Sequence, residues 1–121
     1  MSEIAIQKLS IDTAGGAGAA VGSGSTIPIT GFLLDVYLDY NAAAPATTDV
    51  TISDATFGNI VVKSNNATDI WIAPRKQTVD VAAGDTGSYD LIPLNGVSTI
   101  AIAQCDALTA ALVATVRWIT P

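Results

Sequence analysis

The chain has 121 residues, half of them apolar and only 13 % charged, with a net charge of −6 from eleven acidic and five basic side chains. One domain is the natural expectation at this length. Only Arg75 and Lys76 are adjacent among the basic residues, which excludes a phosphate-binding nucleic-acid surface and argues against anionic membranes. Histidine is absent, so Ser-His-Asp and Cys-His nucleophiles and the usual zinc sites fall away together.

The charged fraction is about half the ~25 % of an average soluble domain. A small domain has much surface for its volume, so this scarcity predicts a large neutral surface that another subunit or a larger assembly covers, the alternative being a monomer with a Thr/Ser/Asn-rich face. No apolar run approaches the ~20 residues of a membrane-spanning helix. The start, Met1-Ser2-Glu3, lacks a basic region followed by an apolar core, so no secretory signal is expected. Cys105 is the single cysteine, which rules out an internal disulfide and suggests a thiol buried at a strand end.

In chain order, Ile4, Ile6, Leu9 and Ile11 alternate with polar residues over Ile4–Asp12, the period of a short strand. Thr13–Thr26 follows, nearly all Gly, Ala, Ser and Thr, with five of the ten glycines between Gly15 and Gly24. Such a stretch buries too little side chain to offset its own ordering. It reads as a flexible connection, or as an arm that orders against a neighbouring subunit. Residues 1–28 are thus expected to form a strand plus a Gly/Ala/Ser-rich arm, and 29–121 the folded domain.

Gly31–Tyr40 places Phe32, Leu34, Val36, Leu38 and Tyr40 on one face and Leu33, Asp35, Tyr37 and Asp39 on the other, which predicts a strand with one wet face. After the Asn41–Thr48 loop, shorter strands are predicted at Asp49–Ser53, Phe57–Lys63, Asp69–Ala73, Gln77–Val81 and Ser88–Leu94. Turn signals separate them at Asn65-Asn66, Gly84-Asp85-Thr86-Gly87 and Asn95-Gly96. Gly96–Trp118 reads as a hairpin closed by Cys105–Thr109. Its core face would carry Ile100, Ile102, Leu112, Val116 and Trp118. Its other face, Val97, Thr99, Ala101 and Ala103 beside Val113 and Thr115, is uncharged except for Arg117, as if made for a sister subunit. Within Asp106–Val113, Asp106 could cap one helical turn before Ala107-Leu108; no other 3.6-residue period is visible. The expected fold is all-β: a small antiparallel β-sandwich, jelly-roll-like or a related barrel, of about eight short strands.

The chemistry is sparse. Asp35 and Asp39 share a strand face but lie about 13 Å apart at ~3.3 Å per residue, beyond the ~5–9.5 Å of glycosidase carboxylate pairs. Asp85 with Asp90, or Asp49 with Asp54, could offer oxygens to calcium, yet no D-x-[DN]-x-[DN]-G loop is present and turn formation is the default role. No catalytic residue, cofactor or metal is therefore assigned. Trp71, out of phase with Ile70 and Ile72, should point outward as an interface anchor or, with Tyr37 and Tyr40, as a ligand contact. The candidate interface residues are Trp71, Thr99, Ala101, Val113 and Thr115.

The stretch Gly31-Phe32-Leu33-Leu34-Asp35-Val36-Tyr37-Leu38-Asp39-Tyr40-Asn41, with Pro45 and the Thr-rich entry to Val50-Thr51-Ile52, resembles the auxiliary capsid (cement or decoration) proteins of tailed bacteriophages. Leu94-Asn95-Gly96, the alternating Val97–Gln104 strand and Asp106-Ala107-Leu108-Thr109 before a final strand are similar in style. The resemblance spans about residues 30–119 and lies in pattern and composition, without an invariant motif. It implies a β-sandwich on the capsid exterior, a homotrimer at three-fold positions, and the major capsid protein as partner. It implies synthesis in the host cytoplasm and no enzymatic activity. A carbohydrate- or receptor-binding β-module is the alternative.

Overall fold

The computed structural model describes residues 2–79 and 84–121. Among these residues ten strands follow one another: β1 (Glu3–Ile11), β2 (Ala20–Ser25), β3 (Ile29–Tyr40), β4 (Asp49–Asp54), β5 (Gly58–Lys63), β6 (Ile70–Ile72), β7 (Arg75–Val79), β8 (Asp85–Gly96), β9 (Ser98–Cys105) and β10 (Leu112–Thr120). They form a six-stranded sheet, β1-β10-β3-β8-β7 with β6 also on β3, and a four-stranded sheet, β2-β9-β4-β5. All pairings are antiparallel. The chain is therefore an all-β sandwich. Residues 80–83, including the predicted strand end at Val81, lie outside the described residues. No helix among the described residues is long and apolar enough to cross a membrane.

The pairings are nested. β1 pairs with β10, β2 with β9, β3 with β8, and β4 with β5. A long antiparallel ribbon folded over so that alternate pairs fall in opposite sheets has this connectivity, which is that of a jelly roll. β6 and β7 are additions between the fifth ribbon strand and its return.

This topology overturns the expected hairpin. β9 lies between β2 and β4 in the four-stranded sheet, whereas β10 lies between β1 and β3 in the other. Alternation was the right cue for both strands, but period two does not say which strand is the neighbour. The connection 106–111 crosses between sheets that pack about 10 Å apart, and it crosses beside the β1–β2 connection. The Thr13 N–H donates to the Leu108 carbonyl, its hydroxyl donates to the Asp106 carbonyl and accepts from the Leu108 N–H, and Asp12 Oδ1 accepts from the Ala110 N–H. Asp106 caps no helix; its carboxylate accepts from the Gly18 N–H.

The Gly/Ala-rich segment is likewise part of the sandwich and not a flexible arm. Its second half is β2, paired with β9 from Ala20↔Cys105 to Ser25↔Thr99. Backbone pairing and close approach order it, not side-chain burial. A Cβ on Gly22 would stand 2.1 Å from the Asp12 carbonyl oxygen, so β1 and β2 can turn from one sheet to the other this tightly only without a side chain there.

The core lies between the sheets. Ile29, Leu33, Val36, Leu38, Leu112, Ala114, Val116 and Trp118 enter from the six-stranded sheet, and Val50, Ile52, Ile100, Ile102 and Cys105 from the other. Cys105 is buried at the end of β9. A register shift between Arg117 and Trp118 swaps the phase of β3. It brings Leu33 inward and leaves Phe32 on the outer face, against the simple alternation of the sequence. Gly31 makes room for this irregularity: a Cβ there would meet the Ile119 carbonyl oxygen at 2.2 Å.

Candidate functional site

Every inward residue has an outward neighbour, so the sandwich presents two outer faces, and the five sequence-predicted interface residues divide between them. Thr99 and Ala101 stand on the four-stranded sheet. Cross-strand neighbours in the register are Ser25, Thr99 and Ser53 in one row and Ser23, Ala101, Thr51 and Val62 in the next. The Ser25 and Thr99 hydroxyls lie 3.3 Å apart. These two rows carry no charge. Val113 and Thr115 stand on the opposite side of the molecule, on the six-stranded sheet, and Thr115 is buried under its neighbours. The single interface face expected from the hairpin therefore does not exist.

Trp71 belongs with Thr115 and not with Thr99. In the register Lys8 faces Thr115, Thr115 faces Tyr37, and Tyr37 faces Trp71, which forms one row across β1, β10, β3 and β6. The short β6 is held on β3 from both ends. Before it, Asp69 Oδ1 accepts from the Tyr40 N–H at 2.8 Å. After it, Arg75 Nη1 donates to the Leu34 carbonyl at 3.0 Å, in the gap on β3 between its β8 partners and its β6 partners. Trp71 thus projects outward, 54 % exposed. Its ring centroid lies 4.7 Å from that of Tyr37, with the planes tilted by 35°.

The adjacent row is an ion pair. Arg117 faces Asp35 across the β3–β10 ladder and donates from Nε to Oδ1 at 2.7 Å and from Nη2 to Oδ2. Its guanidinium carbon also lies 5.1 Å from the centre of the Trp71 ring, within reach of a cation–π attraction. Asp35, expected on a wet face, is instead half-buried and paired. Its hydrogen bond holds the Arg117 guanidinium still further above its ordinary range. Desolvation, with the charges of Asp69 and Asp39, pushes the Tyr37 phenol above its usual value of 10. Tyr40 is not part of this platform. It points into the core, where burial raises its pKa and the neighbouring Asn66 amide opposes that shift without completing a hydrogen bond to its hydroxyl. The sequence could show Trp71 and Tyr37 on outward phases but not Arg117 beneath them, because that contact depends on β10 lying next to β3.

A second apolar strip lies at the other end of the same face. Ile4 faces Ile119, Ile119 faces Phe32, and Phe32 faces Pro93. A shallow concavity of about 390 Å³ adjoins it, lined by Phe32, Lys76, Asp90, Leu91 and Pro93. Phe57, expected within a strand, sits exposed in the β4–β5 turn.

Of the calcium candidates, Asp54 serves the β4–β5 turn, Asp49 holds the loop after β5, and Asp90 makes a cross-strand contact between β8 and β7. Asp54 Oδ2 accepts from the Thr56 and Phe57 N–H groups at 2.9 Å each, Asp49 Oδ1 from the Asn65 N–H, and Asp90 Oδ2 from the Thr78 hydroxyl. The Asp85 side chain lies outside the described residues. Among those described, no three His, Cys, Asp or Glu side chains converge as metal ligands.

No family model and no curated protein matches the chain. Among solved structures, two match the chain weakly. One is the cryo-EM structure of the virus-like particle of Macrobrachium rosenbergii extra small virus, 14 % identical with a TM-score of 0.37, covering 98 % of this chain and 78 % of that one. The other is the exo-β-1,3-galactanase of Phanerochaete chrysosporium crystallised with galactose, 13 % identical with a TM-score of 0.35, covering 98 % of this chain and 29 % of that one. Neither is close enough to bear on function.

Proposed function

We propose that this chain is a structural virion protein that decorates the exterior of a tailed-phage capsid and stabilises it through protein–protein contacts, without catalysis. The observation that carries the reading is the exposed apolar surface. Ile4, Ile6, Phe32 and Trp71, on the outer face of the six-stranded sheet, are each 46–59 % exposed on a domain with very few charges to solvate them. Small monomers seldom leave such strips open. The jelly-roll connectivity, which recurs in viral shells and lectins, is compatible with it by analogy alone. A net charge of −6 suits a protein facing away from packaged DNA. The major capsid protein is the implied partner, and a trimer at three-fold positions is the arrangement the resemblance suggests.

The test is co-sedimentation of the purified protein with expanded and immature shells of the encoding virus. Saturable binding to expanded shells and a raised shell melting temperature are expected. Failure of both removes the proposal.

A second reading rests on the Trp71–Tyr37–Arg117 cluster, an aromatic platform of the kind that could stack a sugar ring in a non-catalytic binding module. A glycan array with the native chain and Trp71→Ala decides it: binding lost in the variant supports this reading, and no binding by the native chain ends it.

A further inference from the structure

The edges of the two sheets are not alike. β7 is short, carries Arg75 and Lys76, and its ladder to β8 is broken by a register shift between Gln77 and Val79. The β4–β5 ladder is broken between Ile52 and Ser53, and β5 ends on Lys63. The β2–β9 ladder is broken between Ala20 and Gly22. Irregularity and basic residues at these edges are the devices by which sheets avoid pairing with strangers.

β1 has only Lys8 as a basic residue and no break in its ladder. Its nine residues pair with β10 without a shift, from Glu3↔Thr120 to Ile11↔Leu112. It contains no proline, and Ile4 and Ile6 are 59 % and 58 % exposed on its outer face. Ile27, whose N–H donates to the Gln7 side chain, adds a third exposed isoleucine beside it. The Glu3 N–H donates to Thr120 Oγ1 and the Glu3 carbonyl accepts from it, so the Glu3 backbone faces β10. By the alternation of an antiparallel ladder, the N–H and C=O groups of Ile4, Ile6 and Lys8 then face the free edge.

We infer that the β1 edge is a docking site for a second copy of this chain, pairing β1 with β1 antiparallel across a two-fold axis at Ala5. The strand is self-complementary in that register and poorly so in its neighbours. Ile4 meets Ile6 of the other copy twice, exchanging backbone hydrogen bonds, and Glu3 meets Gln7. Moving the axis to Ile6 would set the Lys8 ammonium against Ile4, and moving it to Ile4 would set Ile6 against Ser2. β1 carries one acid and one base, so this edge is neutral although the whole chain is not, and the two copies meet without opposed like charges. The paired edge buries less than the ~800 Å² per partner of a stable interface, so the dimer is weak and concentration-dependent. Such a contact is isologous. It cannot close a trimer, and it joins copies in pairs whether or not the chain also binds a shell.

The experiment uses the full chain alone, so shell binding does not enter it. Two Ala5 residues facing each other at a non-hydrogen-bonded position lie about 4.5 Å apart at Cα, within disulfide range. Mild oxidation of Ala5→Cys should give a covalent dimer on a non-reducing gel. Ser10→Cys should not, nor should the native chain, whose Cys105 is buried. Sedimentation of the native chain should show a monomer–dimer equilibrium, and Ile6→Lys should weaken it by about a hundredfold or more through lost apolar burial in both copies. Ile6 is exposed, so an unchanged melting temperature will show that this variant is folded. A native chain that stays monomeric together with an Ala5→Cys variant that does not cross-link overturns the inference, as does a folded Ile6→Lys variant that dimerises undiminished.

Discussion

Arg117 reaches Asp35 through two parallel hydrogen bonds on the outer face of the six-stranded sheet, with Nε 2.7 Å from Oδ1, and the same guanidinium lies 5.1 Å from the Trp71 ring. A planar fork held by a carboxylate is a fixed support in a way that a lysine ammonium is not. Arg117→Lys keeps the charge and removes the fork. The expected result is a changed Trp71 emission, isolated by subtraction of the Trp71→Phe spectrum, with a melting temperature lowered by less than about 4 °C, since Arg117→Lys keeps the charge of a half-buried, solvent-accessible ion pair. Unchanged Trp71 emission would mean that Arg117 does not position the ring.

The Tyr40 hydroxyl is buried and has no hydrogen-bond partner among the described residues, and burial raises its pKa above 10. The fold therefore favours the neutral phenol. Stability from this group is fully present below pH 10 and declines as pH rises through the folded-state value. Tyr37, raised for related reasons, adds to the same alkaline loss. Tyr40→Phe removes an unsatisfied polar atom without changing shape. It should stabilise the chain by about 1 kcal/mol at neutral pH and flatten part of the decline above pH 10, measured by chemical denaturation at pH 7 and pH 11. A variant less stable than the native chain at pH 7 would show that the hydroxyl is satisfied.

Glycines in the N-terminal segment are not equivalent. A Cβ at Gly22 would collide with backbone of the β1–β2 crossing at 2.1 Å, whereas one at Gly16 meets nothing within 4 Å. Gly22→Ala should cost about 1–3 kcal/mol, the range of overpacking, and Gly16→Ala should be nearly neutral. Thermal melts of the two variants distinguish a strand that must pack closely from a merely flexible connection, for which both changes would be tolerated.

The strands were legible in the sequence wherever one face was buried and the other wet, as in β3, β4 and β9. Their partners were not. Consecutive strands pair often enough that Gly96–Trp118 reads as a hairpin, and only the nested pairing of the whole ribbon places β9 and β10 in opposite sheets. β2 escaped notice because it is ordered by its backbone, through Gly22 and Gly24, with almost no side chain to show a period. The platform was half legible: Trp71 and Tyr37 announced an outward phase, while Asp35–Arg117 needed the β3–β10 register. The inward turn of Leu33 needed the register shift at Arg117/Trp118.

The division of the candidate interface between two faces separates two substitutions that otherwise look alike. Thr115 is 8 % exposed and sits between Lys8 and Tyr37 in the register. Thr115→Lys forces a longer side chain under its neighbours and sets two ammonium groups opposite each other, which should destabilise the fold by about 1–3 kcal/mol. Thr99 stands half-buried between Ser25 and Ser53 on the uncharged rows of the four-stranded sheet. Thr99→Lys loses at most one exposed hydroxyl contact and should stay within about 0.5 kcal/mol of the native chain. Denaturation curves check the stability half of this contrast, and light scattering the assembly half. If the four-stranded face meets another subunit, Thr99→Lys alone dissociates the assembly while remaining as stable as the native monomer. A Thr99→Lys variant that assembles normally places the contact elsewhere, on the Trp71 platform or the β1 edge.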